Sequence, residues 1–242
     1  MQDNWLIRTE MLLGKENLSI LSSKRVMVAG LGGVGSYAAE MIARAGVGHM
    51  TLVDGDTVNI TNINRQLVAL HSTVGMNKAH VMKQRLLDIN PLLNIEIVDG
   101  YIKDKLLTDT LDKGFDYVLD AIDTLSPKVY LIVHSLNRGI KIVSSLGAGG
   151  KLNPSRIQIV PMNETYNCKF AQAVRKKLNH LNIKTDFPVV FSPEPVDMSK
   201  IVRRENQLKQ KSMVGTISYI PATFGMFAAS VVIRDLLGEF KF

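Results

Sequence analysis

The sequence predicts an α/β protein with a doubly wound, mainly parallel Rossmann-like sheet and a C-terminal α+β extension that completes the domain. Short β-branched runs alternate with apolar-periodic segments over 24–150, which is typical of strands and helices joined by right-handed crossovers. A glycine-rich turn, GLGGVG at 30–35, separates the first run from the first helix. The alternation stops after residue 150, so we expect 151–242 to be the extension and 1–242 a single domain.

The elements of the predicted core follow in order. Residues 1–23 have an amphipathic helical pattern that is broken at Gly14. Strands are expected at 26–29, 50–53, 95–98, 117–120 and 140–143, because each is a short apolar run. Helices are expected at 36–45, 79–89, 106–111 and 127–138.

The extension mixes both kinds of element. Strands are predicted at 157–160, 189–191 and 217–220, and helices at 170–178 and 222–237, where Gly238 ends the last helix. The polar and basic stretch 198–212 is expected to form a mobile loop.

Composition limits the class of protein. The 242-residue chain is 46% hydrophobic and 21% charged, as in a soluble globular protein. The segment 213–233 is apolar but contains Pro221 and hydroxyl residues, so a buried strand and helix is favoured over a membrane span. No secretory signal is expected at the start of the chain. The single cysteine, Cys168, excludes an internal disulfide and a thiolate zinc cluster, and it fits a reducing cytoplasm.

Positive charge is concentrated in the extension. Residues 169–211 carry ten Lys or Arg and four acidic residues, which accounts for +6 of the net charge of +7. Such an excess indicates a polyanionic partner such as nucleic acid. An ordinary solvated face explains the charge alone equally well.

The glycine-rich turn predicts a phosphate site. Its glycines allow a tight turn and a close approach of backbone to phosphate, and the following helix N-terminus offers unpaired N–H groups. Asp54, nineteen residues after Gly35, ends the second strand and can accept a hydrogen bond from a ribose hydroxyl. Glycines that serve only helix–sheet packing are the less favoured interpretation.

Three charged residues favour ATP over NAD at this site. Arg65 and Lys78 lie in segments that follow the second strand, and Asp123 follows the fourth. Arginine and lysine can neutralise β- and γ-phosphates, and a carboxylate at a strand end can hold Mg²⁺. A dehydrogenase needs none of them, although each could separately be a surface charge or a helix cap.

These motifs carry a resemblance to a known family. The sequence resembles the adenylating domain of ubiquitin-activating-like (ThiF/MoeB/HesA) enzymes, which include activators of sulfur carriers, in GLGGVG, LVDGDTVNITNINRQ, GMNKAHVM, INP and DAIDT. Further segments resemble the branch that dehydrates threonylcarbamoyladenosine at position 37 of tRNA: RTEMLLG, DAIDTLSPKV, SSLGAGGKLNPSRIQI, VRKKL, VVFSPE and SYIPATFGMFAASVVIRDLLG.

The resemblance implies roles for individual residues. Asp54 would bind the ribose of ATP and Asp123 would bind Mg²⁺. Arg8 would enter the ATP site of a neighbouring subunit, which implies a homodimer with composite sites. The implied catalytic residues are Arg8, Arg65, Lys78 and Asp123, and the implied ATP-binding residues are Gly30, Gly32, Gly33, Gly35, Asp54, Asp56, Asn62, Arg65, Gln66 and Lys78.

The implied reaction is adenylation of the substrate carboxylate followed by ring closure with loss of AMP. The alternative is adenylation of the C-terminal glycine of a ubiquitin-like sulfur carrier. The chain has no CxxC motif, which departs from the zinc-bearing activators, and Cys168 is interpreted as non-catalytic, so thioester chemistry is disfavoured. A sulfur-relay protein partner stays open. Contacts with tRNA are expected from Arg175, Lys176, Lys177, Arg203 and Arg204.

Overall fold

The computed structural model describes residues 4–197, 199, 201–203 and 212–242, with only the backbone of 201–203, 212 and 213. In chain order its helices and strands are α1 Ile7–Leu13, α2 Lys15–Ser23, β1 Arg25–Ala29, α3 Gly35–Arg44, β2 His49–Val53, α4 Lys78–Ile89, β3 Asn94–Val98, α5 Asp104–Leu111, β4 Tyr117–Asp120, α6 Leu125–Asn137, β5 Lys141–Ser145, β6 Gln158–Pro161, α7 Lys169–His180, β7 Pro188–Phe191, β8 Ile201–Arg203, β9 Ser212–Val214 and α8 Tyr219–Leu236.

Seven of the strands form one sheet in the order β3-β2-β1-β4-β5-β7-β6. All neighbouring pairs are parallel except β6 and β7. The strand order reverses between β1 and β4, which is the switch point where open α/β sheets bind ligands. The predicted doubly wound, mainly parallel sheet is therefore confirmed.

Helices cover both faces of this sheet. One apolar cluster joins β1, β2 and β4 to α3, α4 and α8, with Phe224 and Ile42 fully buried. A second cluster on the other face includes residues of α5, α6 and α7, with Leu131 and Phe191 fully buried. Because both faces are covered, the central strands read as continuous apolar runs in the sequence.

The register of the sheet brings the functional loops to one edge. Ala29 at the end of β1 pairs with Val53 on one side and with Asp120 on the other. The glycine-rich turn, the loop after Val53 and the loop after Asp120 therefore leave the sheet next to one another. This common edge is what positions the site.

The extension continues the same sheet. β7 pairs parallel to β5 and antiparallel to β6, so the predicted strands at 157–160 and 189–191 are both present. The predicted helices at 170–178 and 222–237 correspond to α7 and α8.

Two sequence predictions in the extension were wrong. The expected strand at 217–220 is absent, because α8 already begins at Tyr219. Pro221 lies in the first turn of α8, where the missing proline N–H would have no helical partner in any case, and a short apolar run does not distinguish strand from helix. Within the expected loop 198–212, the backbones of β8 and β9 pair antiparallel, while 198, 200 and 204–211 lie outside the described residues.

The N-terminal pattern and the apolar C-terminal segment agree with expectation. Gly14 separates α1 from α2 with a positive φ of 83°. Among the residues that the structure describes, no helix combines the length and apolar character that crossing a membrane requires.

Candidate nucleotide site

The glycine-rich turn links β1 to α3 in a conformation that only glycine allows at two positions. Gly30 has a φ of 89°, which is unfavourable for residues with a side chain. A Cβ on Gly35 would lie 1.8 Å from the carbonyl oxygen of Gly30. In contrast, a Cβ on Gly32 would meet nothing nearer than the Gln66 Nε2 atom at 3.8 Å. The backbone beside Gly32 is therefore open to a ligand in the way a phosphate cradle requires.

Asp54 is held against this turn by backbone donors. Its Oδ2 accepts from the Leu31 N–H at 2.6 Å and its Oδ1 accepts from the Asp56 N–H at 2.8 Å. Burial raises the pKa of Asp54, and the positive charge of Lys78 and the two N–H groups oppose that rise. Each carboxylate oxygen keeps a second lone pair that can accept from a ribose hydroxyl.

Lys78 begins α4 and is almost fully buried, at 5% exposed. Its ammonium lies 2.9 Å from Asp56 Oδ2. The Tyr101 hydroxyl donates to the other Asp56 oxygen at 2.7 Å, and this hydrogen bond raises the pKa of Tyr101. Asp56 thus orients a buried cation next to Asp54, on the β2 and β3 side of the glycine-rich turn.

Arg65 lies in the polar loop on the other side of the turn. Its Nη1 donates to the Thr61 carbonyl at 3.0 Å and to Asn64 Oδ1 at 2.9 Å. Burial lowers the pKa of Arg65, while the charge of Asp123 acts in the opposite direction. Arginine stays protonated nonetheless. Arg65 and the exposed Asp123, which come from different loops, are therefore close enough at the edge of the sheet for their charges to interact.

The side chain of Asn62 shapes the same loop. Its Oδ1 accepts from the Asn59 N–H at 3.0 Å, while the Asn59 N-cap side chain accepts from the Thr61 N–H at 2.9 Å. The reciprocal cap fixes the short 3-10 turn that precedes Arg65.

Gln66 contributes an unsatisfied polar atom behind the glycine-rich turn. The side chain is 8% exposed, and within the described residues its Oε1 has no hydrogen-bond partner. An unpaired buried acceptor costs free energy unless a ligand or water supplies a donor. The residue next to Gly32 therefore fits a site that is completed by a polar ligand.

Comparison with known proteins shows the family. The family model described as "ThiF family" matches residues 6–241. The chain belongs to the ThiF family.

Its relatives within the ThiF family span nearly the whole chain. A tRNA threonylcarbamoyladenosine dehydratase of Bacillus subtilis is 40% identical over 241 residues, covering 97% of this chain and 95% of the relative. The dehydratase of the same name from Escherichia coli is 33% identical, covering 98% and 96%. The crystal structure of the E. coli enzyme in complex with ATP superposes with a TM-score of 0.86 at 33% identity, covering 96% of this chain and 93% of that chain.

Similarity to an adenylyltransferase of a different name is shorter. A molybdopterin-synthase adenylyltransferase of Salmonella typhimurium is 36% identical over 129 residues, or 53% of this chain. The match to the dehydratases thus extends over nearly the whole chain, which favours the dehydratase interpretation over the sulfur-carrier alternative.

Arg8 is the one predicted catalytic residue that the chain does not bring to this ThiF-type site. It is exposed on α1. Leu6, which precedes α1, is close to Gly46 at the C-terminal end of α3, since a Cβ on Gly46 would lie 3.2 Å from the Leu6 side chain. The ten-residue α3 is about 15 Å long, so this contact lies at the far end of the helix from the glycine-rich turn. An Arg8 role in catalysis therefore requires a second subunit.

The residues predicted to contact tRNA fall into three groups. Arg175 is half-buried and donates from Nη1 to the Thr165 carbonyl at 2.6 Å, so it supports the fold of its own segment. Lys176 and Lys177 are exposed on α7. The Arg203 side chain and the whole of Arg204 lie outside the described residues.

Sequence reasoning missed a buried network beneath Asp123. Lys128 on α6 and Asp120 at the end of β4 are both fully buried, and their Nζ and Oδ2 atoms are 2.6 Å apart. A usable signal was present, because Lys128 is a lone lysine in an otherwise apolar helical pattern five residues after Asp123.

Cys168 lies outside the network and acts as a helix cap. Its Sγ accepts from the Ala171 N–H at 3.5 Å at the N-terminus of α7. The thiol thus takes the position that an oxygen-bearing side chain usually occupies in an N-cap.

Proposed function

We propose that this chain is an ATP-dependent tRNA threonylcarbamoyladenosine dehydratase that activates the substrate carboxylate as an adenylate. The observation that carries the proposal is the convergence of Asp54, Lys78, Arg65 and Asp123 around one glycine-rich turn at the switch point of the sheet. Relatives that carry this activity in their names match nearly all of the chain, and one such enzyme has been solved with ATP.

The nucleotide would lie along the edge of the sheet in a fixed direction. Asp54 accepts from the ribose, and the backbone at Gly32 and Gly33 lies against the phosphates. Lys78 and Arg65 supply positive charge to the triphosphate. Lys78 is already oriented by Asp56, so it loses little conformational freedom when the phosphates arrive.

The first chemical step forms the adenylate. An oxygen of the substrate threonyl carboxylate attacks the α-phosphorus of ATP, the bond from that phosphorus to the bridging oxygen breaks, and pyrophosphate leaves with the bonding electrons. The charge that builds on the phosphate oxygens is stabilised by Arg65 and Lys78. No residue of the chain becomes covalently modified in this step.

The second step closes a ring. A nucleophilic atom of the carbamoyl group attacks the activated carbonyl carbon, AMP leaves, and the proton lost from the nucleophile completes the net removal of one water from the nucleoside. The enzyme needs no nucleophile of its own, which agrees with a chain whose single cysteine caps a helix.

Mg²⁺ fits the donor set at Asp123. Mg²⁺ in nucleotide sites is commonly held by one or two carboxylates together with substrate phosphates. Asp123 offers one exposed carboxylate opposite Arg65, and the described residues contain no cluster of three His, Cys, Asp or Glu that could hold a metal alone. When bound, the ion would neutralise phosphate charge.

A basic helix beside the same loop favours an RNA substrate. The Lys177 ammonium lies 3.1 Å from the hydroxyl of Ser126, three residues after Asp123. Lys176 and Lys177 therefore present positive charge next to the adenylation site, where phosphates of the tRNA can be neutralised. We place the reaction in the cytoplasm, where tRNA is available.

We further propose a homodimer in which Arg8 enters the partner's site. In α1, Met11 is 81% exposed and Leu12 is 84% exposed, so this helix presents large apolar side chains next to Arg8. Exposed apolar patches commonly mark protein interfaces. If α1 packs against a second copy of the chain, the Arg8 side chain on this helix would face the partner subunit.

The proposal is tested by ATP–pyrophosphate exchange. Labelled pyrophosphate should enter ATP only when tRNA that carries threonylcarbamoyladenosine is present, because the exchange requires a reversible adenylate. The matched control is the same tRNA transcript without the modification. Exchange that is equal with both RNAs, or absent with both, would contradict the proposal.

A further inference from the structure

Lys128 is a fully buried ammonium with a complete set of acceptors. Its Nζ donates to Asp120 Oδ2 at 2.6 Å, to the Ser145 carbonyl at 2.9 Å and to the Ser144 hydroxyl at 3.1 Å. An ammonium has three N–H groups, so each one has a partner. Lys128 is 0% exposed and cannot contact a phosphate directly.

The same residue closes the loop that carries Asp123. The Lys128 backbone N–H donates to the Thr124 carbonyl at 3.2 Å, at the end of the loop. Its side chain is bonded to Asp120, at the start of the loop. The Lys128 side chain therefore fastens the start of the loop to β4 and β5, whereas the bond at Thr124 is the first backbone bond of α6 and does not depend on the lysine side chain.

Further bonds fix the first half of the loop. Asp120 Oδ1 accepts from the Ile122 N–H at 3.0 Å. The Ala121 N–H donates to the Ala29 carbonyl at 2.8 Å. The Ala121 carbonyl also lies 2.9 Å from the position that a Cβ on Gly30 would take, so the loop packs directly on the glycine-rich turn. A shift in this loop would move Asp123 relative to the phosphate cradle.

We propose that Lys128 is a positioning residue for adenylation: by tying Asp120 to Ser144 and Ser145 of β5 it fixes the loop that carries Asp123, where a divalent cation bound to the triphosphate would be ligated. This inference rests on the proposed function, which assigns Asp123 to Mg²⁺.

Energetics argue against a role in stability alone. Burial lowers the pKa of Lys128, and the charges of Asp120 and Asp123 oppose that effect. Charged pairs that are fully removed from water usually gain little net free energy over apolar residues of similar volume. The lysine in this apolar helix therefore fixes the position of the loop through its hydrogen bonds, which a methionine cannot make.

The test compares Lys128→Met with wild type in three measurements. The Mg²⁺ concentration that gives half-maximal AMP formation should rise about tenfold or more, as is typical when the support of a metal ligand is removed. The Kd for ATP in EDTA should stay within about twofold, because Asp54 and the glycine-rich turn are untouched. Hydrogen exchange at the amides of Ala121 and Ile122 should accelerate.

Lys24→Met is the matched control. Lys24 pairs with Asp116 at 3.2 Å before the first residues of β1 and β4, at the opposite edge of the same strands. The Lys24→Met substitution should leave all three measurements at the wild-type values. Lys128→Met with unchanged Mg²⁺ dependence and unchanged exchange in the loop would overturn the proposal.

Two more variants keep the test decisive. If Lys128→Met does not fold, Ser144→Ala removes one of the three acceptors and should produce a smaller shift of the same sign; the absence of any shift overturns the inference. Asp123→Asn separates the two claims. If Asp123→Asn leaves the Mg²⁺ dependence unchanged, the metal assignment in the proposed function fails. The hydrogen exchange of the loop in Lys128→Met is a separate measurement, and it still reports whether Lys128 holds the loop.

Discussion

At the scale of single residues, the site depends on charges that reach across two loops. Arg65 and Asp123 are far apart in sequence, yet the charge of Asp123 raises the pKa of Arg65 against the effect of burial. Lys78 is buried and directed by Asp56. Removing one of these groups should therefore impair chemistry more than folding.

Arg65→Ala and Asp123→Asn should each lower the rate of AMP formation by about 10²–10³-fold, since each removes a group that stabilises charge in the transition state. The measurement is AMP release in the presence of modified tRNA, with circular dichroism as the check on folding. Arg156→Ala and Asp109→Asn, both exposed residues elsewhere, are the controls and should keep the wild-type rate. Normal turnover in either site variant would show that the assigned site is wrong.

Asp54 should give a measurable pH signature. Burial raises its pKa above the ordinary value, so ionisation costs the folded state more than the unfolded chain. Its contribution to stability is complete below the ordinary pKa and is lost as the pH rises through the folded pKa. Asp54→Asn removes this dependence, so the Tm of the variant minus that of wild type should increase as the pH rises from below the ordinary pKa of an aspartate through the raised pKa of the folded state.

Thermal unfolding at several pH values checks this expectation for Asp54. The control is Asp109→Asn at an exposed position, for which the Tm difference from wild type should not change with pH. The Asp54 variant should also bind ATP more weakly, because one ribose acceptor has lost its charge. A Tm difference that decreases with pH would contradict the assigned environment.

The structure brings together most of the site residues that the sequence predicts, and beneath them it adds the buried pair of Asp120 and Lys128, which the sequence analysis does not include. Asp54, Lys78 and Asp123 could be predicted because strand ends and the loops after them converge in any parallel sheet. Lys128 could not be assigned, since its function depends on an acceptor from β5 that lies sixteen residues away. The lone lysine in an apolar helical pattern indicates a buried charge, but its partners are determined by tertiary packing and cannot be read from the local sequence.

At the scale of secondary structure, the contact between α3 and α8 sets the position of the glycine-rich turn. A Cβ on Gly225 in α8 would lie 2.4 Å from the carbonyl oxygen of Val34, at the N-terminus of α3. A Cβ on Gly33 would lie 2.9 Å from Pro221, also in α8. The last helix of the extension therefore packs directly on the phosphate cradle.

Gly225→Ala should lower the free energy of unfolding by about 2–3 kcal/mol, because the added methyl group must displace backbone. Urea denaturation measures the change. Met226→Ala is the control on the same helix: the side chain is exposed, and its loss should change stability by less than about 0.5 kcal/mol. Equal stability of Gly225→Ala and wild type would contradict the close approach of the two helices.

The same helix shows where local patterns lose their predictive value. Residues 217–220 have the β-branched and aromatic composition of a strand, yet Tyr219 and Ile220 begin α8 and Ile220 is fully buried against the sheet. The choice between strand and helix was made by packing against α3. In the core, where short apolar runs alternate regularly with amphipathic segments, the predicted strands correspond to β1 to β5.

At the scale of the whole molecule, the proposed homodimer predicts that Arg8 of one subunit completes the site of the other. Mixing Arg8→Ala with Asp123→Asn subunits should restore activity, since a hybrid dimer has one site with Arg8 from one subunit and Asp123 from the other. With random exchange, half of the dimers are hybrids with one intact site, so about one quarter of the wild-type rate is expected. Mass spectrometry of the intact dimers verifies that subunits have exchanged. If activity does not recover after verified exchange, the shared site is contradicted.

The central claim is that the site adenylates a carboxylate on tRNA and then closes a ring. Its most direct test is incubation of the protein with ATP, Mg²⁺ and tRNA that carries threonylcarbamoyladenosine, followed by digestion and mass spectrometry of the nucleosides. We expect the modified nucleoside to lose the mass of one water and one AMP to appear for each nucleoside converted. A nucleoside of unchanged mass, with ATP either intact or hydrolysed without product, would contradict it.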